Sequence, residues 1–502
     1  MPNRFSLHDT RRSRRFPWFA LRHAPILLLL GGCAVYRPAP LTPAQTAVDF
    51  TALGRLDVDA ARLLSGPLAR HRFDPARGLD MTQTAMLAVV NNPDLKLARD
   101  DVGVARAQAF SARLLPDPQV TLSNAIPTPP VTGNNITAYA FGLNYDLVAL
   151  ITHGTARDAA AAAQNQTDLG LLWQEWQVIA RARQLFLKVR FDRGALPLLQ
   201  RVRDLTLARY RAMAGAQLSF DTTGDLSAGA LTAWQDAQKM LDGAQRAANQ
   251  NLHDFDLVLG LRAGTVPDLI DDSAGTNPDG FDDYGVGAGD DEGLNAGDIE
   301  TALAALPQRR PDLLALQAGY QAEEAKNRLA VLGQFPMLQV GFQRASDNSG
   351  YKTDAFNIGF TLPIFNRNRG AIAVERATRQ RLHDDYQSRV NQAYLDVSQI
   401  RADTLLLDAQ RTEAIHALPE AQRGADAAAA AYAQNDLTIG PYTDALVGAL
   451  GRRLELATQE EALAEQRIAL LTVLGAPLHT GSDGALHAAD AADSAARPPA
   501  TR

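Results

Sequence analysis

Cysteine occurs once in 502 residues, and aromatic side chains make up only 6% of the chain. One thiol cannot close a disulfide within the chain, so a disulfide scaffold is excluded, and so is a cysteine-rich metal centre. No later segment offers the roughly 20 consecutive apolar residues that a membrane-crossing helix needs. If the mature chain crosses a bilayer, it must do so as β-strands. A basic excess is also lacking: 49 Lys+Arg stand against 56 Asp+Glu, a formal net charge of -7. Nucleic-acid partners are therefore excluded, because no basic face is dense enough for them. His23, His71, His153, His253, His383 and His416 are scattered without metal-ligand spacing,. Gly285-Val286-Gly287 sits in an acidic stretch with no strand before it and no helix opening after it, which is loop chemistry and not a phosphate cradle. No catalytic residue, metal or cofactor is expected, and an enzyme is the least supported class.

The N-terminus reads as an export signal: Arg11, Arg12, Arg14, Arg15 and Arg22, then the apolar run Pro25 to Leu30, then Gly31-Gly32-Cys33,. The run is too short to span a bilayer. Leu30-Gly31-Gly32-Cys33 resembles a bacterial lipoprotein signal. The resemblance implies removal of residues 1–32, diacylation of the Cys33 thiol and acylation, typically palmitate, of the new amino group. Ala34 at the next position implies sorting to the outer membrane. The paired arginines resemble those of twin-arginine signals, and a plain positive region explains them as well.

The body of the chain is written twice. Asn92-Pro93-Asp94-Leu95 recurs as Arg310-Pro311-Asp312-Leu313, and Leu115-Pro116-Asp117-Pro118-Gln119-Val120 as Phe335-Pro336-Met337-Leu338-Gln339-Val340. Phe141-Gly142-Leu143 recurs as Ile358-Gly359-Phe360, and Val258-Leu259-Gly260 as Val473-Leu474-Gly475. Four landmarks in the same order at nearly the same spacing mark a duplicated architecture.

Within each copy the apolar period switches. Asp94 to Leu115 and Asp312 to Phe335 have helical spacing and end at Pro116 and Pro336. Period-two stretches follow: Val120 and Leu122; Tyr139, Phe141, Leu143, Tyr145 and Leu147; Leu338, Val340 and Phe342; and Phe356, Ile358, Phe360, Leu362 and Ile364. Each copy thus carries two strands of about nine to eleven residues, enough to cross a bilayer when tilted. Their connections, Pro127 to Ile136 and Asp347 to Asp354, are rich in turn residues. Long helices follow over Thr155 to Met213 and Ala371 to Ala433, on the order of 90 Å each at about 1.5 Å per residue. Such length without a globular core implies coiled-coil-like packing. Turns at 214–225 and 435–441 reverse the chain, and return helices run over Ala228 to Leu259 and Asp444 to Leu474. The resulting segments are 1–32 signal, 33–81 anchored N-terminal segment, 82–264 first repeat, 265–297 acidic linker, 298–477 second repeat and 478–502 tail. The linker's acidic and glycine-rich composition reads as solvated chain, since its spacing fits no EF-hand.

The ordered set of helix, hairpin, long helix and return helix, opened by Asn-Pro-Asp-Leu and Arg-Pro-Asp-Leu, resembles the TolC-like outer-membrane factor family across roughly Thr82 to Pro477. The fold class is thus mainly α with a membrane β-barrel portion. What the resemblance implies is a homotrimer whose twelve strands form one barrel continued by a periplasmic α-barrel. It also implies work with a periplasmic adaptor and an inner-membrane pump as an efflux duct for drugs or heavy-metal cations. The signal and Arg310-Pro311-Asp312-Leu313 are similar to pump-serving members. Pro116-Asp117-Pro118-Gln119 and the run from Pro363 to Gly370 are similar to the heavy-metal branch. The linker departs from the Pro- and Leu-rich linker of drug-pump members. The alternatives are a type I protein-secretion duct and a non-transport periplasmic coiled-coil protein. A lipidated periplasmic adaptor has one helical hairpin in β-rich modules, and this chain has two matching halves.

By the same resemblance the closed end lies at the helical turns, where Asp436, Tyr442, Asp444, Asp221 and Asp225 are candidates. Rings of inward carboxylates select cations, although Asp225 and Asp444 also suit helix N-caps. Asp436, placed before its turn, is the first choice, with Tyr442 as plug. Spacing from Tyr210 and Tyr432 makes the first tip seven residues longer than the second. Mass spectrometry of the mature N-terminus checks the anchor: acylated Cys33 is expected as first residue, and an unmodified Cys33 contradicts it.

Overall fold

The structure, a computed structural model, describes residues 36–52, 78–128, 136–218, 224–262, 264–265, 268–270 and 296–475. Cys33, Asp221, most of the linker and the tail lie outside the described residues. A first unit, ending at Ala52, carries helix α1 (Pro43–Ala52). The second unit carries α2 (Met81–Asn91), α3 (Pro93–Arg113), β1 (Gln119–Ala125), β2 (Ala138–Asp146), α4 (Leu147–Leu218) and α5 (Gly224–Val258). The same order then repeats as α6 (Ala296–Arg309), α7 (Pro311–Leu332), β3 (Met337–Ser346), β4 (Lys352–Thr361), α8 (Arg369–Ala433) and α9 (Ile439–Leu474).

The repeated sequence landmarks meet in space. Asn92 caps α3 by accepting from the N–H groups of Asp94 and Leu95 at 3.0 and 3.1 Å, and its Nδ2 donates to the Val258 carbonyl at 3.1 Å. Asn-Pro-Asp-Leu therefore grips Val-Leu-Gly, and α3 stacks end to end with α5 alongside α4. In the second copy Arg310 does the same work by other means. Its Nε and Nη2 donate to the Asp312 carboxylate at 2.8 and 3.0 Å, and its Nη1 reaches the Val473 carbonyl at 3.4 Å. Its guanidinium also lies over Trp173, 4.8 Å from the ring centroid, a cation–π contact. Gly260 ends its helix at φ +61°, and a Cβ there would lie 2.4 Å from the Asn91 carbonyl oxygen. Only glycine accepts both the left-handed backbone and that approach.

The apolar core gathers at this level, about midway along α4. Leu87, Leu185, Leu187, Phe255, Leu259 and Ile468 are fully or nearly fully buried there, from α2, α4, α5, the residue after α5 and α9. A smaller cluster of Leu306, Leu313 and Ala393 packs the second copy.

The four strands make one antiparallel sheet in the order β1-β2-β3-β4, in which β2 and β3 join the copies. β1 has 7 residues, shorter than expected, because prolines at 116, 118 and 127 bracket it and cannot donate to a ladder. The second connection is tighter than expected. The Asp347 carboxylate accepts from the N–H groups of Ser349 and Tyr351, and β4 already begins at Lys352.

Helix α4 has 72 residues and α8 has 65, on the order of 108 and 98 Å. α4 starts eight residues before the expected Thr155, since the Asp146 carboxylate caps it by accepting from Val148 and Ala149 directly after β2. The two long helices differ by seven residues, and residues 362–368 separate β4 from α8 where nothing separates β2 from α4. The expected difference between the tips falls on residues 219–223, which lie outside the described residues.

Candidate functional site: a two-faced sheet and the helical tips

Strand register sorts the side chains into two unlike faces. Val120 and Leu122 stand beside Leu143 and Phe141, and Leu143 stands beside Phe342, which faces Phe356. Tyr145 faces Val340, Val340 faces Ile358, and Leu338 faces Phe360. This face is apolar until Phe141, Arg344 and Asp354 come into line. There Arg344 and Asp354 form an ion pair at 3.6 Å. The opposite face presents Gln119, Thr121, Ser123, Ala140, Gly142, Asn144, Gln339, Gly341, Gln343, Ala355, Asn357 and Gly359, all small or polar. Phe356, Ile358 and Phe360 are exposed in the single chain.

The small face suits the concave side of a closed sheet. A Cβ on Gly341 would lie 2.1 Å from Asn144 Oδ1, and one on Gly142 would lie 2.4 Å from Thr121 Oγ1. Ten residues of strand at about 3.4 Å each, tilted by roughly 45°, rise on the order of 24 Å, the height of an outer-membrane apolar band. Among the described residues neither edge strand, β1 or β4, has a ladder partner on its outer side. Among the described residues no helix is long and apolar enough to cross a membrane.

At the far end, each hairpin is pinned by stacked aromatic rings. Tyr432 and Tyr442 stack at 4.3 Å between centroids with planes 2° apart. Tyr210 stacks instead on Trp234, at 5.8 Å and 5°. Asp436 lies within the turn and not before it. Its N–H closes α8 on the Ala431 carbonyl at 2.9 Å after Asn435 takes φ +60°, and its side chain is exposed. Asp444 is no N-cap: Thr438 holds that position, and Asp444 sits in the second turn of α9. Its carboxylate pairs with Arg209 of α4, which ties the first hairpin to the second. Asp225 lies in the first turn of α5. Arg209 and Trp234 were not singled out by sequence, since Asp444, more than 200 residues from Arg209, and Tyr210, on the other arm of Trp234's hairpin, leave no local pattern. Among the described residues no group of three or more His, Cys, Asp or Glu is placed to hold a metal ion.

The α4–α9 seam carries a second set of charges nearer the core. Lys188 pairs with Glu465 at 3.2 Å, and Asp192 accepts from Asn251 of α5 at 2.8 Å. Burial pushes the neighbouring Glu461 carboxyl up to about 7, with Glu465 and Asp192 raising it further and Lys188 opposing. Burial also raises Asp192, against the Asn251 hydrogen bond and Lys188.

This two-faced sheet on long helices is the fold of outer-membrane channels. The chain resembles the Campylobacter jejuni channel CmeC, with TM-score 0.63 and 14% identity over 88% of this chain and 94% of that one. It resembles the open state of the Neisseria gonorrhoeae channel MtrE, with TM-score 0.61 and 19% identity over 79% and 89%. It also resembles CusC, a former of transmembrane channels, with TM-score 0.60 and 19% identity over 81% and 96%. No curated protein matches it in sequence. Residues 302–476 match the family described as outer membrane efflux protein, which bears out the resemblance read from the sequence. The chain carries the fold of those channels.

The Glu461 shift makes stability depend on pH. A carboxyl raised from 4.5 to about 7 on folding holds a proton that the unfolded chain releases. This group's contribution therefore falls as pH rises between those values and is flat above them. Thermal unfolding across pH is expected to show Glu461→Gln matching the wild type at acid pH and exceeding it above neutrality. Equal pH profiles for both proteins contradict the assignment.

Proposed function

We propose that three copies of this chain form the outer-membrane exit duct of a tripartite efflux assembly. The observation that carries the reading is the sheet: one apolar face, one small and polar face, and two open edges, continued directly by helices on the order of 100 Å long. In lipid an unpaired backbone group costs several kcal/mol, so an open four-stranded sheet must be closed by copies of itself. Twelve strands in a closed barrel put Phe141, Tyr145, Phe356, Phe360 and Leu362 toward lipid and the glycine-rich face toward water. The helices of three copies then enclose the continuation of that lumen through the periplasm. Acylated Cys33 holds the chain at the membrane.

An adaptor and an inner-membrane pump supply the energy and the selection, since a wet lumen of small residues has no pocket to discriminate drugs from metal cations. The chain's own contribution beyond a passage is the control of its far end. Arg209 and Asp444 lock the two hairpins of a subunit together near the tip, and the exposed Asp436 carboxylates of three copies form an anionic ring there. Tyr442, stacked on Tyr432, stiffens the turn that carries the ring.

Planar-bilayer recording of the purified trimer tests both parts. Asp436→Ala is expected to weaken cation preference, and Arg209→Ala to raise resting conductance by releasing the first hairpin. Wild-type conductance and selectivity in both variants would contradict the gate, and a wild-type protein that forms no pore would contradict the duct itself.

A further inference from the structure

The apolar face of β4 does not stop where the strand does. Phe356, Ile358 and Phe360 lead into Leu362, Ile364 and Phe365, and Phe365 is 96% exposed. This segment is held in place and does not merely hang from the strand. The Ile364 N–H turns back onto the Leu362 carbonyl at 2.9 Å, and the Arg369 N–H onto the Asn366 carbonyl at 3.1 Å. Asn368 Nδ2 donates to the Ala330 carbonyl near the end of α7 at 2.8 Å, and a Cβ on Gly333 would lie 2.7 Å from the same nitrogen. Arg367 and Asn368 both take left-handed backbone, at φ +48° and +53°. Two such residues in succession, neither glycine, persist only where surrounding bonds enforce them.

What this geometry displays is an apolar knob followed by cations. Arg367 lies in the left-handed turn and Arg369 directly follows it, and among the described residues neither guanidinium is ion-paired. Arginine presents a planar fork of donors that matches a phosphate bidentately. Aromatic and basic side chains in that sequence suit the boundary between acyl chains and headgroups, where an aromatic ring is half-immersed and cations meet phosphate.

We propose that the segment from Leu362 to Arg369 is a docking site for an anionic phospholipid of the leaflet facing the periplasm. Phe365 and Ile364 enter the acyl region, and Arg367 and Arg369 hold the headgroup phosphate. The site rests on the reading that the apolar face of the sheet meets lipid. It adds to that reading a preference among lipids and an anchor at the point where barrel and helices join.

Native mass spectrometry of the full-length trimer in neutral detergent tests it, with phosphatidylglycerol and phosphatidylcholine titrated separately. The wild type is expected to bind phosphatidylglycerol more tightly. The double variant Arg367→Ala/Arg369→Ala is expected to lose affinity for it about thirtyfold, from roughly fivefold per arginine, with phosphatidylcholine binding and pore conductance unchanged. Phe365→Ser is expected to weaken both lipids. A double variant that keeps wild-type phosphatidylglycerol affinity overturns the proposal, as does displacement of the lipid by equimolar inorganic phosphate. So does a Phe365→Ser trimer that dissociates while its subunits still bind lipid, because a second copy then covers the knob. A wild type that binds neither lipid and forms no pore refutes the duct instead.

Discussion

Two unpaired strand edges govern the whole arrangement. β1 and β4 end the sheet with rows of backbone donors and acceptors that water can satisfy and lipid cannot,. In the proposed duct the apolar face meets lipid, and the edges forbid the sheet to enter it alone. Closure by symmetry resolves that conflict, because an edge β4 from one copy beside an edge β1 from the next repeats until the ring is complete. The concave face of that ring must then be crowded with small residues, which is where Gly142, Gly341 and Gly359 stand.

The helices inherit their organisation from the same closure. Each long helix is flanked by two shorter ones stacked end to end, and the joint between the short ones is where the core collects. One joint uses an asparagine cap and the other an arginine clamped to Asp312 over Trp173. Duplication preserved the geometry of the joint while its chemistry diverged. Away from the joints, the hairpins are linked by lone ion pairs and aromatic stacks, partly solvated and weak individually. That distribution leaves the far tips easier to separate than the waist, as the proposed gate requires.

The duplication, the alternation in the strands and the long helices were legible because each is a local or periodic signal. The faces of the sheet followed from alternation alone, since a strand side chain has only two directions to take. The lengths were less legible. Asp146 caps α4 at once after β2 and lengthens that helix, which no periodic signal in the sequence announced. Nothing periodic relates Arg209 to Asp444 or Tyr210 to Trp234. Asp444 looked like a cap because a carboxylate before an apolar run usually is one, whereas α9 had already begun at Ile439.

Disulfide trapping across the edges tests the central claim most directly. A chain with cysteines at Leu122 in β1 and Ile358 in β4 cannot bridge them internally, because β2 and β3 lie between and the edges stand about 14 Å apart at roughly 4.8 Å per strand spacing. Oxidation in native membranes is predicted to yield covalent dimers and trimers from that double variant and monomers from either single one. Monomers alone from the double variant, and from a panel shifted by two residues along β1 to Val120 and Asn124, would contradict closure through these edges.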